Sequence, residues 1–228
     1  YLAFFGARWY SLDCARSITA MGRKYIHDTI DLAEKHNIKV IYGDTDSVFL
    51  INSDNMDKFK DEANERLPNP MELEEEGLFK SGVFLEKKGS GAGAKKRYAL
   101  MDQNNKMIIK GLEARRGDWS KLAQKAQVET LNTILTEVDG KPALEKIQKI
   151  ISDIRNKKID MQDLIITNKL TKQIHEYKTK GPQVAAGELL AQTGIKVGAG
   201  TIVKYVITKG SSKRIRDRVK LPETTSLE

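Results

Sequence analysis

The chain has 228 residues, with 39 Lys+Arg against 31 Asp+Glu, a formal net charge of +8 and a pI near 9.3. That length allows one large domain or two small ones. No apolar run approaches the ~18 residues that span a bilayer, and the single cysteine, Cys14, excludes an intrachain disulfide and a cysteine zinc site. A reducing, intracellular setting fits. The first eight residues lack a basic start and a long apolar stretch, so no signal peptide is expected. The first residue is Tyr rather than Met, which predicts a processed, trimmed or partial chain. The charge is uneven. Residues 1–118 hold 19 basic and 19 acidic residues, so residues 119–228 carry the whole excess. Within the first part, residues 54–76 are acidic and residues 80–118 basic. An acidic block beside basic ones suggests a cation site near a polyanion track.

In chain order, Ser11 is a helix cap with Asp13 in the first turn. Cys14, Ile18, Met21, Tyr25 and Leu32 then share one helical face, and His36-Asn37 ends the helix. Residues 39–42 and 47–51 read as two strands around Gly43-Asp44-Thr45-Asp46, a hairpin. Residues 54–66 read as a helix that stops before Leu67-Pro68. Residues 71–88 read as strand, broken near Ser81-Gly82, and Gly89 to Ala94 as a flexible glycine-rich tip. A second hairpin turns at Gln103-Asn104-Asn105. From Trp119, expected in the core, the pattern becomes helical in two runs separated by Gly140-Lys141-Pro142. Gly181-Pro182 opens a further helix over 184–192, and 202–207 is the last clear strand.

The strongest chemical signal is Tyr42-Gly43-Asp44-Thr45-Asp46-Ser47. Two aspartates two residues apart sit between hydrophobic strands, and carboxylates at i and i+2 project to one side of an extended segment. Gly43 would let a ligand or second backbone come close. Hard oxygen donors on a hairpin suit Mg²⁺. The plainer alternative is an acidic turn, where Asp is common for backbone reasons.

This hexapeptide resembles motif C of the family B DNA polymerases. Ala7-Arg8-Trp9-Tyr10, Thr19 to Lys24, Glu72 to Gly77, Lys95-Lys96-Arg97-Tyr98, Lys110 to Glu113, and His175 to Lys178 with Gly181-Pro182 resemble archaeal-type members in the same order. The resemblance covers nearly the whole chain and weakens after about residue 210. It implies a two-metal Mg²⁺ site that joins a dNTP to a primer 3′ end, with Asp44 and Asp46 as catalytic and metal ligands and Thr45 beside the nucleotide. Glu74 and Glu76 would be further metal ligands. Lys95, Lys96, Arg97, Tyr98, Arg116, His175, Tyr177 and Lys178 would contact primer–template DNA. Motif A, which holds another metal-binding Asp, and motif B, which contacts the dNTP, have no counterpart among these residues. Activity would therefore need an N-terminal portion or a large subunit. A sliding clamp would be a further partner, although no clamp-binding box is seen, and the protein would be cytoplasmic and nucleoid-associated.

Two rivals stay open. One is a non-catalytic nucleic-acid-binding module in which Asp44 and Asp46 only form a turn. The other is a metal-dependent phosphohydrolase, whose base would have to come from His27, His36 or His175, all distant in sequence from the hairpin. The expected fold is α+β: residues 1–118 the second half of a polymerase palm, an antiparallel sheet backed by the 11–36 helix, and residues 119–228 a mostly helical, C-terminally incomplete thumb.

Overall fold

The computed structural model describes residues 1–87, 89, 93–137 and 140–225. Helix α1 (Leu12–Lys35) begins where the Ser11 hydroxyl accepts the Cys14 N–H at 3.3 Å. Asp13 in its first turn and Lys35 in its last both suit the helix dipole. It ends at His36, and Asn37 follows in the left-handed conformation (φ 58°), a usual helix stop. Leu32 and Ala33 pack with Ile38 and with Phe59 and Ala63 of α2 (Met56–Arg66). The face read from Cys14 to Leu32 is buried only toward its end. Thr29, Leu32 and Ala33 are the buried residues of α1, while Cys14, Ile18 and Met21 are exposed.

Strands β1 (Val40–Asp44) and β2 (Ser47–Leu50) pair antiparallel. Val40 faces Leu50 and Tyr42 faces Phe49, so Ile41 is an extra residue in β1, a bulge. The expected strand over 71–88 is only half present. Residues 71–78 have no regular secondary structure, and β3 (Phe79–Glu86) runs through Ser81-Gly82 without a break. The cause is local. Asn64 accepts the Leu73 N–H at 2.6 Å and donates to its carbonyl at 3.2 Å, so a side chain satisfies the groups a partner strand would take. Four glutamates within residues 72–76 also oppose pairing.

β4 (Gly93–Asp102) and β5 (Met107–Lys110) complete the sheet order β3-β4-β5. Their turn is held by Asp102, whose carboxylate accepts the N–H groups of Asn104 and Lys106, with Asn105 at φ 62°. Residues 90–92 of the glycine-rich tip lie outside the described residues. By its internal contacts the chain forms two compact units, residues 1–78 with 84–96 and residues 79–83 with 97–228, so the contacts change over within β3 and β4.

In the second unit α3 (Lys121–Glu137) packs on α4 (Gly140–Arg155). Gly140-Lys141-Pro142 is the first turn of α4, where proline's missing N–H costs no helix bond. A short helix, α5 (Met161–Leu164), leads into β6 (Ile166–Lys169). Then come α6 (Pro182–Gln192), β7 (Ile202–Ile207) and β8 (Val219–Lys220). The three strands form an antiparallel sheet ordered β6-β7-β8. Leu170, Ala185, Ala186, Val203, Tyr205 and Val219 are its core. The C-terminal part is thus helical with a small sheet inserted, and the whole is α+β. Trp119, expected in the core, is 45% exposed. Among the described residues no helix is long and apolar enough to cross a membrane.

Candidate functional site

Asp44 is the last residue of β1 and faces Ser47 across the hairpin, its side chain only 19% exposed. The turn is unusually tight. The Asp46 N–H donates to the Asp44 carbonyl at 2.6 Å, spanning Thr45 at φ 51°. An i to i+2 bond around a positive φ is a γ-turn, and a β-branched residue rarely tolerates it. Such strain collects at functional sites, where the surroundings hold it in place. The Thr45 hydroxyl donates to Asp44 Oδ1 at 3.1 Å, and the Ser47 hydroxyl to the Asp44 carbonyl at 3.3 Å. The left-handed Thr45 breaks the extended alternation, so the expectation that Asp44 and Asp46 project to one side on strand geometry does not hold. Asp46 is exposed at the tip. A Cβ on Gly43 would meet Ile30 at 3.7 Å, an ordinary contact, so no close backbone approach within the chain requires this glycine.

An aromatic base supports the turn. Tyr42 lies 5.8 Å from Phe49 and 5.3 Å from Phe84 between ring centroids, and Phe49 lies 5.4 Å from Phe84. The Tyr42 hydroxyl accepts the Lys96 N–H at 2.6 Å. Lys96 is itself left-handed (φ 58°), and its ammonium stands 3.9 Å from Asp44 Oδ2. Sequence reasoning assigned Lys96 to the DNA track and gave Tyr42 no role, yet the fold brings both to Asp44. The available signal was the aromatic directly before Gly-Asp.

Glu74 and Glu76 are exposed and lie on the irregular 71–78 segment. Among the described residues no three His, Cys, Asp or Glu side chains are grouped to hold a metal. Asp44 and Asp46 are two carboxylates two residues apart on one turn. That donor set fits Mg²⁺, which is commonly held through one or two carboxylates, waters and substrate phosphates.

The basic residues divide between the units. Lys95 and Lys96 are exposed and share a unit with Asp44 and Asp46. Arg97, Tyr98, Arg116, His175, Tyr177 and Lys178 belong to the other. Arg97 pairs with Glu113, which also accepts from Gln127 at 3.0 Å. The Gln127 hydrogen bond first, then a backbone bond and the Arg97 charge, hold the Glu113 carboxyl below its ordinary value. Tyr98 faces Lys110 across the β4–β5 pair. Arg116 grips Asp118 with two bonds of 2.9 and 2.6 Å, lowering that carboxyl and raising the guanidinium. The Tyr177 hydroxyl accepts the N–H groups of Thr171 at 2.8 Å and Lys172 at 3.3 Å. It fixes that loop, while His175 and Lys178 beside it are exposed.

Comparison with known proteins identifies the family. The model of DNA polymerase family B matches residues 1–227. The chain is 42% identical to a DNA polymerase of Methanocaldococcus jannaschii over 237 residues, covering all of this chain and 14% of that protein. It is 37% identical to a DNA polymerase of Thermococcus gorgonarius, over 96% of this chain and 28% of that one. The solved family B DNA polymerase of the hyperthermophilic archaeon Pyrobaculum calidifontis superposes with a TM-score of 0.71 at 34% identity, over 96% of this chain and 27% of that chain. The chain therefore spans between about a seventh and about a quarter of these relatives. With a match over almost its full length, the chain belongs to DNA polymerase family B.

Proposed function

We propose that this chain supplies the motif C carboxylates of a DNA-directed DNA polymerase together with part of its grip on primer–template DNA. The observation that carries the reading is the strained, aromatic-backed turn that holds Asp44 half-buried and within 3.9 Å of Lys96. Residues 1–118 serve as the second half of the palm and residues 119–228 as most of the thumb. Asp44 is the principal carboxylate. Its Oδ1 accepts from Thr45, which leaves Oδ2 toward Lys96 and a cation. Asp46, exposed at the tip, is the second ligand, and Thr45 lines the nucleotide side. Bound Mg²⁺ supplies activation of the attacking 3′ oxygen and charge stabilisation for the departing pyrophosphate. The protein's part is to position these groups and place fixed charge.

Lys95 and Lys96 offer ammonium groups to primer phosphates, and Arg97, Tyr98, Arg116, His175, Tyr177 and Lys178 extend the track. Arg116 and Arg97 reach phosphate only by sharing or exchanging their carboxylate partners. Glu74 and Glu76 serve a further cation rather than the Asp44 site. The remaining carboxylate and the dNTP contacts come from an N-terminal portion or large subunit. A sliding clamp and the nucleoid are the setting such an enzyme works in.

The test is primer extension with Mg²⁺ and dNTPs, by the chain alone and by a chimaera in which it replaces the matching 28% of the Thermococcus gorgonarius polymerase. The chain alone is expected to be silent and the chimaera to extend the primer. Robust synthesis by the chain alone would overturn the shared-site reading.

A further inference from the structure

The second unit holds a cavity of about 260 Å³ lined by Trp119, Lys121, Gln162, Ile165 and Lys204, among others. Three of its features are unusual for an idle surface. The first is Trp119 itself. A large indole, 45% exposed, stands beside Ile165 at the cavity instead of closing into the core. Its backbone is anchored: the Gln124 side chain donates to the Arg116 carbonyl at 2.9 Å and to the Trp119 carbonyl at 3.0 Å, tying the turn to α3. An aromatic side chain, with two rotatable bonds, offers contact area at little entropic cost.

The second is the charge. Two neighbouring carboxylates are already ion-paired, Asp118 with Arg116 at 2.6 Å and Asp163 with Lys125 at 2.9 Å, and Asp160 accepts the Gln162 N–H at 2.9 Å. Lys121 and Lys204 have no ion-pair partner among the described residues. The cavity therefore has an aromatic wall and two uncompensated ammonium groups. The third is size and access. The volume lies just under the roughly 300–1,000 Å³ of pockets for drug-sized ligands, so a group as small as one base fits. A Cβ on Gly117 at the rim would meet nothing within 4 Å, so the mouth is open.

We infer that this cavity receives one unpaired nucleobase of a single-stranded nucleic acid, stacked on Trp119, with the flanking phosphates on Lys121 and Lys204. Aromatic stacking combined with basic groups along the backbone is the general way proteins hold single strands. A base in a duplex keeps its faces covered by its neighbours and cannot use such a wall. None of the cavity's lining residues belongs to the carboxylate turn. The site rests on the polymerase reading only for the expectation that nucleic acid is the polyanion.

The chain has two tryptophans. In a Trp9→Phe background the emission of Trp119 alone reports on the cavity. A short oligothymidylate is expected to quench it saturably, and inorganic phosphate at equal phosphate concentration is not. Trp119→Ala should weaken oligothymidylate binding by about 5- to 150-fold, the equivalent of the ~1–3 kcal/mol of one stacked base. Trp119→Tyr, which restores an aromatic face, should recover most of it. Lys204→Gln should reduce the salt slope of single-strand binding by about 0.7. No quenching, or equal quenching by phosphate, would overturn the inference, as would equal losses in the Ala and Tyr variants. Duplex affinity of the same chain is the control that separates the two readings. If it persists while quenching is absent, the cavity assignment alone fails; if it too is absent, the DNA-gripping role fails with it.

Discussion

Asp44 sits at the meeting point of three local devices, and only one of them is local in sequence. The turn through Thr45 and Asp46 comes from adjacent residues. The aromatic base brings Phe84 to Tyr42, and the Tyr42 hydroxyl takes the backbone N–H of Lys96, 54 residues on. That last bond holds Lys96 in a left-handed conformation that a lysine disfavours, with its ammonium beside Asp44. On the proposed reading Tyr42 is a positioning residue, acting through Lys96. In the chimaera, Tyr42→Phe removes only the hydroxyl. Losing one hydrogen bond, about 0.5–1.5 kcal/mol, should raise the KM for primer–template about 2- to 10-fold. The catalytic rate and melting temperature should change little. An unchanged KM would show that the Tyr42–Lys96 bond does not position the primer track. The hairpin that carries the candidate carboxylates was legible in the sequence because two apolar runs flank a short acidic turn. The Tyr42–Lys96 bond was not, because nothing in either segment alone specifies a contact across such a separation.

Elements with strong local signals stand where the sequence placed them. α1 has its Ser11 cap and Asn37 stop, and α6 its Gly181-Pro182 opening. β1, β2 and β7 follow their apolar runs. The failures share a cause, which is satisfaction of the backbone by distant groups. Residues 71–78 look extended, but Asn64 takes the Leu73 backbone and no strand forms. β6 and β8, of four and two residues, are too short to announce themselves and exist because β7 lies between them. Trp119 read as core because a large aromatic at a helix start usually is, whereas its indole lines an open cavity and is 45% exposed.

Glu113 shows how one side chain links elements. It joins Arg97 of β4 to Gln127 of α3, and its carboxyl lies below the ordinary value of 4.5. A lowered folded-state pKa means that ionised Glu113 stabilises the fold at neutral pH. That contribution is lost as the pH falls below 4.5 and through the folded value. Glu113→Gln should therefore lower the melting temperature at neutral pH, and the gap to the parent should close on acidification. A gap that stays constant across the acid range would remove Glu113 from this role.

At the scale of the whole chain, the net charge of +8 is concentrated after residue 118, while the first half is balanced overall. The acidic hairpin and its following acidic block suit cations, and the basic remainder suits a polyanion. On the proposed reading this division reflects two jobs, chemistry at Asp44 and grip on DNA, whereas a plain binding module would need only the second. The most direct measurement is Asp44→Ala in the chimaera, with primer extension and primer–template affinity measured on the same preparation at one salt concentration. The expected result is a fall in extension of at least about 10²-fold, the scale of losing a principal charge-stabilising group, with DNA affinity retained. Extension at the parent rate with intact DNA binding would contradict it, and would leave Asp44 as a turn residue.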